Sequence, residues 1–271
     1  MKKLLTAFFL ITLTTLFSRL AFYSKSAKVL VPVIETPTKE ETLTVATYNI
    51  HHGVDSQNNL NLENMKMLIK DADIVFLSEV DRNYSSRSRY LDQLVFLKRN
   101  TGLNYHAYAP TLEKAGLFTL GGSYGIAILS RYPIVDTQVI YLPTSPFIEP
   151  RVALIVDINW NGQTIKVLGT HLATLEGDRT RQLEKLQSLQ LDLDFFLGDF
   201  NTTPKNVTSL VEHFNLKVAN NQPTFPSARP SVQIDYILYG NRFDLLTVHT
   251  INSLYSDHLP VKAKMRLNYL K

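Results

Sequence analysis

One short stretch of the sequence most constrains what this chain can fold into. Residues 195–197 are an apolar run that breaks at Gly198 and continues as Asp199-Phe200-Asn201. A short apolar run bounded by a glycine is typical of a buried strand, so Asp199 and Asn201 stand at its carboxyl end. Proteins built on sheets collect their functional groups at that edge. The stretch therefore predicts a buried sheet with a polar site at one end.

Other apolar segments end in polar residues in the same way. Alternation and short apolar runs predict strands at residues 43–49, 73–78, 124–130, 152–158, 165–169, 195–197, 232–238, 245–251 and 261–267. Asn161-Gly162 between two of these runs is a strong hairpin signal. Helical spacing predicts helices at residues 62–69, 180–193 and 207–214, and in the second half of residues 82–100. This mixture predicts one α/β (α+β) domain with mixed sheets.

Composition excludes several classes of protein. Hydrophobic residues make up 45% and charged residues 19% of the chain, which is typical of a globular protein and not of a disordered one. The absence of cysteine excludes disulfides, thiolate metal sites and a cysteine nucleophile. The net charge is +4, but the first 28 residues hold five basic residues and no acidic one, so the remainder carries −1. Bulk charge therefore gives no support for nucleic-acid binding.

The N-terminal segment has the pattern of an export signal. Lys2 and Lys3 precede an apolar run over residues 4–17, which is short for a spanning helix. We interpret residues 1–28 as a signal peptide or an N-terminal membrane anchor, with an ordinary buried helix as the alternative. Residues 29–41 contain prolines and a charged cluster and read as a linker. We therefore expect an exported protein, secreted or anchored at the outer face of the cytoplasmic membrane.

The polar residues at the strand ends form a set with a recognisable chemistry. They are Asn49, Glu79, His171, Asp199, Asn201, Asp235, Asp257 and His258. Carboxylate and amide oxygens suit a hard cation such as Mg²⁺ or Mn²⁺. A histidine can transfer protons near neutral pH, and a carboxylate such as Asp235 can orient it. The set predicts metal-assisted hydrolysis of a phosphate ester, although either histidine could serve as base or acid.

Six segments carry these residues in a fixed order. They are Thr47-Tyr48-Asn49-Ile50, Ser78-Glu79-Val80-Asp81, Gly169-Thr170-His171-Leu172, Gly198-Asp199-Phe200-Asn201, Ile234-Asp235-Tyr236-Ile237 and Ser256-Asp257-His258-Leu259-Pro260-Val261. The series resembles the endonuclease/exonuclease/phosphatase superfamily over residues 42–268. The resemblance implies a catalytic domain there, folded as a four-layered sandwich of two mixed β-sheets packed face to face with helices outside.

The resemblance also implies a role for each residue. Glu79 would be the principal metal ligand, with Asn49 and Asp257 nearby. His258 would be the general base, oriented by Asp235. For the remaining residues, His171 would stabilise the phosphoryl group or assist the leaving oxygen, Asp199 would orient the nucleophile or leaving group, and Asn201 would bind phosphate.

Further segments resemble small bacterial members similar to a subgroup linked to remodelling of lipid anchors. They include Glu149-Pro150-Arg151 and the run from Tyr124 to Ile134. Arg151 and Arg87 are candidate phosphate contacts, because a guanidinium matches phosphate oxygens, and the alternative is a solvated arginine. Tyr124 is a third candidate, with packing as its alternative. His51 and His52 follow Asn49 and are interpreted as loop residues in preference to substrate contacts.

We therefore expect a Mg²⁺- or Mn²⁺-dependent phosphodiesterase or phosphatase that acts as a monomer. A lipid headgroup or another envelope phosphodiester is favoured over nucleic acid as the substrate, and the N-terminus offers a route to membrane association. One alternative is a secreted DNA endonuclease or exonuclease, which would need a basic groove. Another is an inactive binding module on the same fold.

Overall fold

The computed structural model describes residues 42–114 and 121–268. The predictions for residues 1–28 and 29–41 lie outside these ranges. The described strands are β1 Thr42–Asn49, β2 Ile74–Arg82, β3 Tyr105–Glu113, β4 Ser123–Ser130, β5 Ile134–Leu142, β6 Arg151–Trp160, β7 Gln163–His171, β8 Phe195–Asp199, β9 Leu216–Val218, β10 Asp235–Gly240, β11 Phe243–Thr250 and β12 Val261–Leu267. The described α-helices are α1 Leu62–Ile69, α2 Gln93–Lys98, α3 Glu176–Gln187 and α4 Pro204–His213, and short 3₁₀ turns cover His51–Gly53 and Ser86–Ser88.

The strands form two six-stranded mixed sheets. The first has the order β11-β12-β1-β2-β4-β3 and the second the order β5-β6-β7-β8-β10-β9. Each sheet contains one parallel pair joined through a helix, β1 with β2 through α1 and β7 with β8 through α3, while the other pairs are antiparallel. A parallel pair needs such a crossover, which explains why long helical segments separate these strands.

Three apolar layers hold the sheets and helices together. Phe76 and Phe195 are fully buried between the two sheets. Met65 of α1 packs with the outer face of the first sheet, and Leu186 of α3 and Leu210 of α4 pack with the outer face of the second. Burial of each such side chain contributes about 1.5–3 kcal/mol. The predicted four-layered sandwich is confirmed.

Strand direction brings polar residues of the first sheet to one edge. Because β1 and β2 are parallel, Asn49 at the end of β1 lies beside the part of β2 that contains Glu79. β12 is antiparallel to β1, and its first residue, Val261, pairs with Thr47 near the end of β1. His258, three residues earlier, therefore belongs to the same edge.

The second sheet repeats this arrangement. β7 and β8 are parallel, and their register pairs His171 with Asp199. β10 is antiparallel to β8 and begins where β8 ends, so that Asp235 also pairs with Asp199. The two sheets thus each present strand ends to one common site.

Two predicted elements have different bounds. The helix predicted at residues 180–193 is Glu176–Gln187, and residues 189–193 after it have no regular secondary structure, with Leu193 buried against the outer face of the second sheet. The strand predicted at residues 232–238 begins only at Asp235, because residues 220–234 form a loop anchored to the sheet through side-chain hydrogen bonds. None of the helices within the described ranges is long and apolar enough to cross a membrane.

Candidate active site

Asp199 and Asn201 lie at the end of β8, beside a contact that only glycine permits. A Cβ atom on Gly198 would lie 2.0 Å from the carbonyl oxygen of Thr170 in β7. Asp199 is buried, and its Oδ1 accepts the backbone N–H of Asn201 at 3.0 Å. Asn201 has a φ of 47°, and its Nδ2 donates to the carbonyl oxygen of Leu172 at 2.9 Å. The end of β8 is therefore held against the end of β7 both before and after Asp199.

The side chain of Asn49 joins the two sheets. Its Nδ2 donates to Glu79 Oε1 of the first sheet at 3.0 Å and to Asp199 Oδ2 of the second at 3.1 Å. Its Oδ1 accepts the backbone N–H of His51 at 2.9 Å. The amide oxygen is thus turned away from Glu79, so this geometry gives Asn49 a positioning contact, and its role as a metal ligand stays a prediction.

His258 and Asp235 form a buried pair. His258 Nδ1 lies 2.9 Å from Asp235 Oδ2, and the imidazole packs against the ring of Phe225 at 4.8 Å between centroids. The Nε2 of His258 points to Asp199 Oδ2 at 3.7 Å. Burial opposes charging of this imidazole, but the carboxylates of Asp235 and Asp199 outweigh it and raise the pKa of His258 to about 10.

His171 also approaches Oδ2 of Asp199. Its Nε2 lies 3.5 Å from Asp199 Oδ2, and its Nδ1 lies 3.5 Å from Arg151 Nη1. Since Arg151 can only donate, Nδ1 is the acceptor and the proton of the neutral ring sits on Nε2. Burial, reinforced by the positive charge of Arg151, lowers the pKa of His171 to about 3. Burial and the neighbouring Asp235 raise the pKa of Asp199.

Glu79 lies at an irregularity of β2, with a φ of 61°. Its Oε2 lies 3.4 Å from His52 Nδ1. Burial opposes ionisation, yet the contacts from His52 and Asn49 prevail and hold the pKa of Glu79 well below its usual range. Asp257 is 31% exposed, and its Oδ1 lies 3.8 Å from His51 Nδ1. Both predicted carboxylate ligands therefore have an imidazole beside them.

Arg151 borders the site at the start of β6. Its Nη1 donates to Glu149, and the same atom contacts His171. The Nε of Arg151 is buried and has no hydrogen-bond partner. A buried guanidinium N–H without an acceptor suits an anionic ligand, which agrees with the predicted phosphate contact without testing it.

Arg87 and Tyr124 contact other protein groups. Arg87 donates from Nε and Nη2 to the two oxygens of the buried Asp81 at 3.1 and 2.9 Å. Its guanidinium lies 5.1 Å from the ring centre of Tyr124, whose own pKa is raised by burial. The two hydrogen bonds to Asp81 account for the position of Arg87 without a phosphate. The phosphate contacts predicted for Arg87 and Tyr124 therefore stay predictions.

Sequence reasoning gave no role to three residues that support the site. Glu149 holds Arg151, and Thr224 Oγ1 accepts the backbone N–H of Asp235 at 3.2 Å. Gln93 is fully buried and links His52 to Asp81, donating to the carbonyl oxygen of one and accepting the N–H of the other. Only the contact of Glu149 could have been expected from the local sequence, because this residue stands two positions before an arginine. The other two come from loops or helices distant in sequence.

A family model described as Endonuclease/Exonuclease/phosphatase family matches residues 46–258, a stretch that runs from β1 to His258. The chain belongs to this family. Members are generally hydrolases of phosphate esters and typically depend on a divalent metal. The match confirms the resemblance seen in the six ordered segments.

Solved structures of this family share the fold. One is an endonuclease/exonuclease/phosphatase from Beutenbergia cavernae, 26% identical, with a TM-score of 0.69 over 84% of this chain and 72% of that one. A mannosyl-6-phosphatase from Bacteroides thetaiotaomicron is 18% identical, with a TM-score of 0.61 over 82% and 99% of the two chains. Sphingomyelinase C from Streptomyces griseocarneus is 18% identical, with a TM-score of 0.58 over 82% and 99%.

Proposed function

We propose that this family member hydrolyses phosphate esters with a divalent cation and acts on a lipid headgroup or another phosphodiester of the cell envelope. One observation carries the proposal. Asp199 Oδ2 lies within 3.7 Å of three side-chain nitrogens, those of Asn49, His171 and His258. Groups that can move a proton and groups that can bind a phosphoryl oxygen therefore surround one point.

The residues present fit a divalent cation. Glu79 is ionised, and its Oε2 is directed at a buried imidazole nitrogen that makes no hydrogen bond. Glu79 and Asp257 would hold the cation, consistent with the preference of hard cations for carboxylate oxygens. When bound, the cation supplies positive charge that neutralises the phosphoryl oxygens.

In the proposed reaction, the neutral form of His258 takes a proton from water at Nε2 while the water oxygen bonds to phosphorus and the ester P–O bond breaks. Because the neighbouring carboxylates raise the pKa of this imidazole to about 10, it must lose its own proton before the attack. Asp235 fixes the ring by accepting the Nδ1 proton at 2.9 Å, and it stabilises the imidazolium that forms. Asp199 lies next to the same Nε2 and orients the water or the leaving oxygen. The three side chains are buried, which keeps bulk water away from the transferring proton.

His171 has a different task in this proposal. Because its pKa is lowered to about 3, it stays neutral at physiological pH and donates its Nε2 proton as a hydrogen bond to a phosphoryl oxygen. Asn201 and Arg151 lie next to it and offer further N–H groups to the phosphate. These prepositioned N–H donors would stabilise the negative charge that develops on the phosphate.

An exposed apolar side chain favours a lipid surface over nucleic acid. Phe147 is completely exposed and Ile148 is 41% exposed, in the loop that leads from β5 to Arg151. Two consecutive exposed apolar side chains, three and four residues before Arg151, offer a contact for the apolar part of a lipid. The net charge of −1 outside the first 28 residues also gives little attraction for a polyanion. Export through residues 1–28 would bring the protein to the envelope.

A substrate screen with matched variants tests the proposal. The expected result is that purified protein hydrolyses bis(p-nitrophenyl) phosphate and phosphatidylinositol or sphingomyelin with added divalent metal, and stops in chelator. Glu79→Gln and His258→Gln should abolish turnover, whereas Asp194→Asn should not. Asp194 is a matched control because it is a buried aspartate just before β8, at the opposite end from Asp199.

Three outcomes would count against the proposal. Inertness towards all phosphate mono- and diesters would favour the inactive binding module. Nicking of plasmid DNA with steep salt dependence would favour the nuclease. Full activity in both site variants would refute the site assignment.

A further inference from the structure

Two adjacent histidines approach the predicted metal-binding carboxylates. His52 Nδ1 lies 3.4 Å from Glu79 Oε2, and His51 Nδ1 lies 3.8 Å from Asp257 Oδ1. Both Nδ1 atoms are buried and neither makes a hydrogen bond. Each nitrogen therefore faces a carboxylate oxygen without a hydrogen bond between them, an arrangement that a ligand shared by the two groups would complete.

The turn itself does not need these imidazoles. Backbone hydrogen bonds close it, from the N–H of Gly53 to Ile50 and from the N–H of Val54 to His51. The interpretation of His51 and His52 as plain loop residues therefore does not explain where their imidazole rings lie.

The backbone is held in an unfavourable conformation to present these side chains. His51 and His52 both have a φ of 43°, and Glu79 has a φ of 61°. A left-handed conformation costs a residue other than glycine about 1–2 kcal/mol. Gln93 fixes the turn to β2 through the carbonyl oxygen of His52, and Asn49 accepts the N–H of His51. The same contacts that position the turn thus position it against Glu79.

The spacing of these atoms suits ligands of one metal ion. Two ligands about 2.1 Å from an ion lie about 3.0–3.4 Å apart at angles between octahedral and tetrahedral. His52 Nδ1 and Glu79 Oε2 meet this separation at 3.4 Å. One ligand atom each from His51, His52 and Glu79 lie within 4.8 Å of one another. Three ligand atoms at this mutual spacing form a candidate site for one ion.

We propose that His51 and His52 are ligands of the divalent cation held by Glu79, so that the site prefers a first-row transition metal ion to Mg²⁺. Imidazole nitrogen suits transition metals, whereas Mg²⁺ selects oxygen. The proposal rests on the proposed function only for Glu79 as a metal ligand. It replaces an all-oxygen site by a mixed nitrogen–oxygen site and makes Mn²⁺ or Zn²⁺ the preferred ion.

Metal binding without substrate tests this proposal. We expect isothermal titration of the protein after chelator treatment to show Mn²⁺ and Zn²⁺ binding at least about tenfold tighter than Mg²⁺. His52→Gln should weaken Mn²⁺ binding by about tenfold or more and change Mg²⁺ binding by less than about threefold. His51→Gln should act in the same direction, and His249→Gln, at an exposed histidine of β11, should have no effect.

A spectroscopic measurement detects nitrogen coordination of the metal directly. Pulsed paramagnetic resonance of Mn²⁺ bound to the wild-type protein should show ¹⁴N coupling from imidazole, reduced in His52→Gln. Absence of that coupling, or equal weakening of Mg²⁺ and Mn²⁺ by the substitution, would overturn the proposal. Nitrogen-coordinated Mn²⁺ in a protein that hydrolyses no phosphate ester would instead refute the proposed function and leave this inference standing.

Discussion

His258 Nδ1 lies 2.9 Å from Asp235 Oδ2, while the second oxygen of Asp235 is buried and has no hydrogen-bond partner. The hydrogen bond of this carboxylate is therefore directed at the imidazole of His258. The backbone N–H of Asp235 is fixed in turn by Thr224. Such an arrangement holds one tautomer of the histidine and stabilises its charged form.

The first prediction follows from this pair. Asp235→Asn keeps the size of the side chain but removes the charge that favours the imidazolium and allows the wrong tautomer. We expect kcat on bis(p-nitrophenyl) phosphate to fall about 10³–10⁴-fold. Asp194→Asn, which changes another buried aspartate, should leave kcat within about threefold. Similar losses of kcat in the two variants would show that any lost buried charge disturbs the fold.

The second prediction concerns pH and His171. Because burial and Arg151 lower its pKa from 6.5 to about 3, the unfolded chain takes up the proton more readily than the folded chain. The contribution to stability is therefore complete above pH 6.5 and is lost as the pH falls towards 3. Urea unfolding in chelator between pH 7.5 and 4.5 should show a smaller advantage of the wild type over His171→Gln at the lower pH.

A second substitution separates the two causes of that shift. Arg151→Gln removes the positive charge beside Nδ1, so the pKa of His171 should rise and the loss of stability with falling pH should become smaller. Nuclear magnetic resonance of the imidazole measures the pKa directly. An ordinary pKa near 6.5 in the wild type would contradict the prediction.

The sequence was sufficient to place the candidate residues at strand ends, because each of them follows or begins a short apolar run. Asp199 and His171 could be assigned to strand ends from that pattern alone, and parallel strands bring such ends together. The contacts between them could not be read in this way. That Asn49 would point its nitrogen at Glu79 and Asp199, and its oxygen at a backbone N–H, depends on three elements far apart in the chain.

The strands that sequence reasoning missed share one property. β3, β5 and β9 all lie at the edges of their sheets. An edge strand has a single partner and is less buried, so its apolar pattern is weak; five consecutive residues of β5 are exposed. β3 also contains Pro110, which an edge strand tolerates and which argues against a strand in the sequence. The missed strands are thus those that burial constrains least.

The third prediction concerns Gly198, at the centre of the stretch that most constrained the fold. A methyl group there would collide with the backbone of β7 at Thr170, which cannot move without disturbing the strand pairing. We expect Gly198→Ala to lower the free energy of unfolding by about 3 kcal/mol or more. Gly177→Ala, in α3, should be neutral or stabilising by up to about 1 kcal/mol, because beyond its own helix backbone an added Cβ meets only the end of the Arg181 side chain at 4.0 Å. Urea unfolding measures both, and equal effects would show that the close approach is unimportant.

The last prediction tests the lipid surface through Phe147. If this exposed side chain enters the apolar part of a lipid layer, Phe147→Ser should lower kcat/KM on phosphatidylinositol or sphingomyelin vesicles by about tenfold, since burial of a phenylalanine contributes about 1.5–3 kcal/mol. Hydrolysis of bis(p-nitrophenyl) phosphate, which is soluble, should change by less than about twofold. Leu246→Ser, at an exposed position of β11, is the matched control and should alter neither activity. An equal loss on both substrates would place Phe147 in the reaction site and not at a membrane, because only a membrane contact distinguishes vesicles from a soluble ester.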